Sequence, residues 1–199
     1  WTTTQAPLPH DAADGISQNP NVYIASESCP AANACVAAGW YDDQSGHAWG
    51  LLEAQSGTSW TETEAPQPND AGSGTDQNLW LGGSECGFEA PCQAVSCPTT
   101  NYCVAVGQYE TTAGATVPLL ETYSNGTWNA VGAPLPGDVN SSPEGNLTNV
   151  DCTAVGTCVA VGDYFNNSGN TAALVESLSG TTWTAQAAPL PTAPDAASG

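Results

Sequence analysis

Three stretches of this chain repeat one alternation of apolar and polar positions. In residues 103–109, CVAVGQY, apolar side chains recur at every second position and valine is frequent, the pattern of a β-strand with a buried face. A turn containing Gly and Thr follows, then VPLLETYS with its Leu-x-Glu, then Asn125-Gly126, a dipeptide that favours a two-residue hairpin, then TWNAVG. A short run before the first cysteine of each stretch, such as NVYIASES or LTNVD, adds a fourth strand. No segment offers the capped i, i+3, i+4, i+7 spacing of a helix. The chain reads as all-β, built of short antiparallel strands and tight turns.

The stretches are CVAAGWYDDQSGHAWGLLEAQSGTSWT from Cys35, CVAVGQYETTAGATVPLLETYSNGTWN from Cys103 and CVAVGDYFNNSGNTAALVESLSGTTWT from Cys158, at offsets of 68 and 55. Cys29, Cys97 and Cys152 obey those offsets, as do Glu53, Glu121 and Glu176, and Trp60, Trp128 and Trp183. Length varies only between one Trp and the next Cys. After each Trp comes A-P-x-P, at 65–68, 133–136 and 188–191, and Trp1 leads the same motif at 6–9. Three Cys-to-Trp units therefore carry four Trp strands. The surplus strand is expected at Trp1, Pro7, Leu8 and Pro9, with its counterpart at Trp183, Pro189, Leu190 and Pro191. Residues 1–59 hold that strand, a connector and the first unit; 60–127 the second unit; 128–182 the third; and 183–199 the final Trp strand with a partial fourth connector. Four strands per unit with Gly and Trp at fixed places is the pattern of propeller blades or a β-solenoid array. The expected fold is three four-stranded antiparallel propeller-like blades plus a surplus terminal strand.

The eight cysteines fall as Cys29 and Cys35, Cys86 and Cys92, Cys97 and Cys103, and Cys152 and Cys158, each pair six positions apart. Zinc sites use shorter spacings and add histidine, so four local disulfides are the economical reading, in an oxidising, extracellular setting. The pair at 86 and 92 lies in the 13 residues by which the second unit exceeds the third, and is expected to pin an inserted loop. Charge narrows the partners: 20 acidic residues stand against no Lys or Arg, a net charge of -20. Without cations the chain has no electrostatic hold on nucleic acid, and anionic lipid is disfavoured. No run approaches the roughly 18 to 20 apolar residues of a membrane span. The N-terminal WTTTQAPLPHDAADG lacks the basic and apolar regions of a signal peptide, so a secreted chain is expected in mature form.

Glu53, Glu121 and Glu176 share one strand position, and no Lys or Arg exists to pair with them. Carboxylate catalysis needs two different environments, whereas these are three copies of one. They are expected to be structural, accepting hydrogen bonds from backbone, hydroxyls or the aligned Tyr41, Tyr109 and Tyr164. Calcium at the three glutamates or at the loops DAADG and DAGSGTD is the lesser alternative, since neither loop has EF-hand spacing; no other cofactor is expected. His10 beside Asp11, and His47, have no Ser or Cys nucleophile in a recognisable elbow, so no enzyme is expected. Trp40 aligns with Gln108 and Asp163, polar siblings that place it at solvent. With Trp49 across the turn, and Trp80, it is a candidate for stacking on sugar rings; the competing reading is contact with a neighbouring blade or subunit. Asn125, Asn140, Asn146 and Asn166 begin glycosylation sequons, no more than this Asn-, Ser- and Thr-rich composition yields by chance.

SCPxxxxCVAVGxY, then LxE, then SGTxW, resembles secreted β-propeller-like repeat proteins of actinobacterial type over nearly the whole chain apart from the connectors. The resemblance implies a four-stranded, disulfide-pinned blade. The lack of Lys and Arg departs from that family's usual composition. The G-x-x-W endings at 57–60 and 180–183 resemble the Asp-box turn of sialidase-like propellers, but Gln55 and Leu178 stand where the aspartate would be, so the likeness is one of turn geometry. Three units without polar caps neither close a ring nor terminate an array. The expected function is an extracellular structural or surface-assembly protein that self-associates, as a fibre or closed oligomer, by strand or blade complementation. The alternative is a lectin-like glycan-binding module.

Overall fold

The computed structural model describes residues 5–15, 19–73, 78–83 and 92–189. Its strands form three antiparallel sheets, and the described residues contain no helix. The first sheet is β1 (Tyr23–Ala31), β2 (Ala34–Asp42), β3 (Ala48–Ser56) and β4 (Ser59–Glu64), in sequence order. The third repeats it as β10 (Asn146–Ala154), β11 (Thr157–Phe165), β12 (Thr171–Ser179) and β13 (Thr182–Ala187). The second has β7 (Tyr102–Glu110), β8 (Thr116–Ser124) and β9 (Thr127–Gly132), while two short strands, β5 (Leu79–Leu81) and β6 (Val95–Thr99), share the place of the first strand and both pair with β7. Among the described residues, none of these three sheets closes on itself.

Local chemistry sets these hairpins. Ser124 pairs with Thr127 around Asn125-Gly126, both at positive φ, as the two-residue turn requires. Gly39, Gly107 and Gly162 occupy one equivalent place where a Cβ would collide with the carbonyl oxygen of Tyr23, Trp80 or Asn146 on the adjacent strand, so the glycine of CVAVG is a steric requirement. Disulfides Cys29–Cys35, Cys97–Cys103 and Cys152–Cys158 bridge the first hairpin of each sheet. Cys86 lies outside the described residues, and with it the fourth expected pair. The insertion of the second unit falls at the register shift that β1 carries between Ile24 and Ser26 and β10 between Leu147 and Asn149. A bulge already interrupts the ladder there, so extra chain leaves both flanking pairings intact.

Two expectations change. Residues 5–9 form no strand; Leu8 packs instead on the cluster of Ala12, Tyr41 and Leu51, because two prolines among five residues remove ladder donors while the leucine still gains from burial. Pro189 is exposed and likewise outside any strand, and Trp1, Leu190 and Pro191 lie outside the described residues. The sheets also divide after each Trp strand rather than before it, since Trp60, Trp128 and Trp183 pair within β4, β9 and β13 to the strand preceding them in sequence.

The sheets pack face to face in chain order. On β2, Val36 and Ala38 point to one face and Cys35, Ala37 and Tyr41 to the other, and β7 and β11 repeat this. Ala38 and Leu52 of the first sheet pack against Cys97, Cys103, Ala105, Tyr109 and Leu119 of the second. Val104, Val106 and Leu120, on the opposite face of the second sheet, pack against Val150, Cys158, Ala160, Tyr164 and Leu174 of the third. Each valine face thus seats on the cysteine-tyrosine face of the next sheet.

Candidate functional site

The middle sheet is buried on both faces, and the outer two are not. Along β7 every residue between the two ends is buried, whereas β11 alternates between buried and exposed positions. Val104 and Val106 are 0% exposed, while their equivalents Val159 and Val161 are 48% and 40% exposed. At the other end, the cysteine-tyrosine face of the first sheet is only partly covered by residues 5–15. Ala6, Ile24, Glu27, Ala37, Glu53 and Trp60 line a cavity of about 310 Å³ there, and Cys29 is exposed where Cys97 and Cys152 are buried. Ala6 follows Trp1 by five positions, as the buried Ala65 and Ala133 follow Trp60 and Trp128. The cavity therefore marks the seat that the preceding sheet occupies at the two inner junctions.

Those junctions also share a polar stitch. Ser26 Oγ accepts from the Val95 N–H at 3.1 Å, Ser28 Oγ from the Cys97 N–H at 2.9 Å, and Ser96 Oγ from the Cys152 N–H at 3.0 Å. In the third sheet Asp151, exposed, holds the place of Ser28 and Ser96.

Glu53, Glu121 and Glu176 are 2%, 0% and 0% exposed, and no hydrogen-bond partner reaches either oxygen of any of them. This corrects the expectation that they accept hydrogen bonds from backbone, hydroxyls or the aligned tyrosines. Tyr109 donates to Asp70 at 2.9 Å, Tyr164 to Asp138 at 2.6 Å, and Tyr41 to both Asp11 and Glu64, at 3.1 and 3.3 Å. The glutamates stand opposite Ala37, Ala105 and Ala160 on the cysteine-tyrosine face of each sheet, which for Glu121 and Glu176 meets the preceding sheet, whereas the tyrosines lie nearer the strand ends, where the connectors pass. Burial pushes the Glu121 carboxyl up to about 9 and that of Glu176 up to about 7. Burial, assisted by Glu62, raises Glu53 to about 7. Burial and then the acidic partners also raise all three tyrosines. The aspartates were missed in the sequence although a signal was present: Asp11, Asp70 and Asp138 each follow Trp1, Trp60 or Trp128 by ten positions.

The three candidate tryptophans are not brought together. Trp40 is half-buried against Tyr23, ring centroids 6.5 Å apart, with its indole N–H buried and unpartnered. Trp49 pairs with Tyr41 and so points to the opposite face, its indole donating to Asp43 at 3.1 Å. Trp80 lines a separate polar cavity between the second and third sheets. His47 lies 3.3 Å from Asp43, and His10 is exposed. Among the described residues, no three His, Cys, Asp or Glu side chains are grouped to hold a metal ion; Asp11 of DAADG and Asp70 of DAGSGTD accept from tyrosines, and residues 74–76 of the second loop lie outside the described residues. Of the sequon asparagines, Asn125 is exposed at a hairpin tip, Asn140 and Asn166 are half-buried in turns, and Asn146 is 5% exposed on β10.

No family model, curated protein or solved structure matches this chain.

Proposed function

We propose that the chain is a self-associating structural module whose three sheets act as propeller-type blades. Copies add head to tail: the valine face of one copy's third sheet seats on the cysteine-tyrosine face of the next copy's first sheet. The observation that carries this reading is the contrast between Val159 and Val161, about half exposed, and Val104 and Val106, fully buried at the same place. The new junction continues the geometry of the two inner ones, with Asp151 able to accept from the Cys29 N–H as Ser28 and Ser96 accept from Cys97 and Cys152. Such a contact is heterologous, so it propagates into a fibre unless its rotation closes a ring. Local disulfides support an oxidising, extracellular setting.

Sedimentation velocity is the test. The wild-type chain should form species larger than monomer, promoted by salt because copies of charge -20 repel. Val161→Asp should leave a folded monomer, judged by near-ultraviolet circular dichroism. A wild-type chain that stays monomeric at high concentration in about 0.5 M salt would refute the proposal, as screening has by then removed most of the repulsion.

A further inference from the structure

The seat that the first sheet offers to another copy differs from the two inner junctions in one cross-strand row. In the first sheet that row is Glu27, Ala37, Glu53 and Glu62, on β1 to β4. It is Val95, Ala105, Glu121 and Ala130 in the second sheet, and Val150, Ala160, Glu176 and Ala185 in the third. Val95 and Val150 are 0% and 2% exposed, packed in the clusters that join each sheet to the preceding one. A copy seated on the first sheet in the same way therefore buries Glu27 in their place. Glu62 stands where Ala130 and Ala185 pack against those clusters. Glu53 and Glu27 line the cavity of the open seat, and Glu53 is 2% exposed with both oxygens unpartnered. The incoming face adds charge of the same sign: Asp151 stands opposite Val159, where the inner junctions have Ser28 and Ser96, and Asp163 lies two positions along β11 from Val161.

We propose that head-to-tail association is gated by protons at this row: copies join when Glu27, Glu53 and Glu62 are neutral and separate as these carboxyls ionise. The gate rests on the head-to-tail reading above. A carboxylate shut away from water needs a cation or several donors, and the chain has no Lys or Arg to bring. Nor do the neighbouring groups of the seat supply one. Glu64 and Asp11 share the Tyr41 hydroxyl, and His10, the one basic side chain of residues 5–15, acts on Glu64. A neutral carboxyl is tolerated in such a junction, as the inner ones show: Glu121 and Glu176 lie unpartnered between sheets, and burial raises both. Joined copies thus hold these protons more tightly than free ones. Association is complete at low pH and weakens as pH rises through the raised values.

Sedimentation velocity of the full chain at pH 5.5 and pH 7.5, in about 0.5 M salt to screen the overall charge, tests the gate. Near-ultraviolet circular dichroism checks the fold at both. The wild-type chain should associate at least about tenfold more tightly at pH 5.5, within the roughly hundredfold that one proton per junction allows over about two pH units. Glu27→Val, which copies Val95 and Val150, should associate about tenfold more tightly than wild type at pH 7.5 and respond less to pH. Glu144→Gln changes net charge equally at an exposed position away from the row and should stay within about twofold of wild type, because screening confines the effect to near neighbours. Association that neither acid nor Glu27→Val strengthens, or that Glu144→Gln strengthens as much, would overturn the gate and leave the head-to-tail reading standing. Association at pH 7.5 that requires calcium and is unmoved by acid would overturn it in favour of a bridging ion. Monomers alone, in both wild type and Glu27→Val and at both pH values, would refute the head-to-tail reading and the gate with it.

Discussion

Replacing Glu121 by Gln should change how stability depends on pH more than it changes stability itself. The carboxyl is 0% exposed with both oxygens unpartnered, and burial alone raises it from 4.5 to about 9. A folded pKa above the unfolded one means that the folded state holds the proton longer. The stabilisation is complete below the unfolded value near 4.5 and is lost as pH rises towards the folded value near 9. Each pH unit in that window costs about 1.4 kcal/mol, so going from pH 4.5 to pH 7 removes on the order of 3 kcal/mol through this residue. Glutamine stays neutral throughout and carries no such term. Whatever the buried amide costs is the same at both pH values, so the change in the gap between variant and wild type isolates the proton. In a chain of this size about 3 kcal/mol corresponds to roughly 6–12 °C in melting temperature. Thermal melts of both proteins at pH 4 and pH 7, with chelator present, should show the variant gaining that much on the wild type at the higher pH. Glu53 and Glu176, raised to about 7, give the wild type further loss of the same sign. A gap that does not move with pH, or that moves the other way, would refute the reasoning.

Tyr164→Phe removes the 2.6 Å bond to Asp138 and should cost about 1.5–3 kcal/mol in urea unfolding. Asp138→Ala should add little more once the hydroxyl is gone, whereas full additivity would mean that the bond contributes nothing. Expressed in a glycosylating host, the chain should carry sugar at Asn125, exposed at its hairpin tip, and none at Asn146, which the fold buries; peptide mapping reads both.

Local features of this fold are legible in the sequence because local forces make them. The short valine-rich apolar run of CVAVGQY, bounded by turn residues, reads as a strand, Asn125-Gly126 specifies the turn through backbone conformation, and cysteines six apart across a hairpin can reach each other without further chain. The glycines of the repeat belong to the same class, since an adjacent strand alone rules out a Cβ. What alternation leaves open is the order in which faces meet, for on β7 both faces are apolar and a period of two does not say which neighbour covers which. Only tertiary packing decided that Glu121 and Glu176 would lie between sheets without partners and that the connector aspartates would take the tyrosine hydroxyls, while strand register within one sheet set Trp40 opposite Tyr23. The polar siblings of Trp40 misled because polarity alone does not mark solvent: Gln108, at the same place in the second sheet, is only 8% exposed. The physical reason is range: hydrogen bonds and turn sterics act over a few residues of one chain segment, while burial, and every pKa and cavity that depends on it, is set by segments brought together from tens of positions apart.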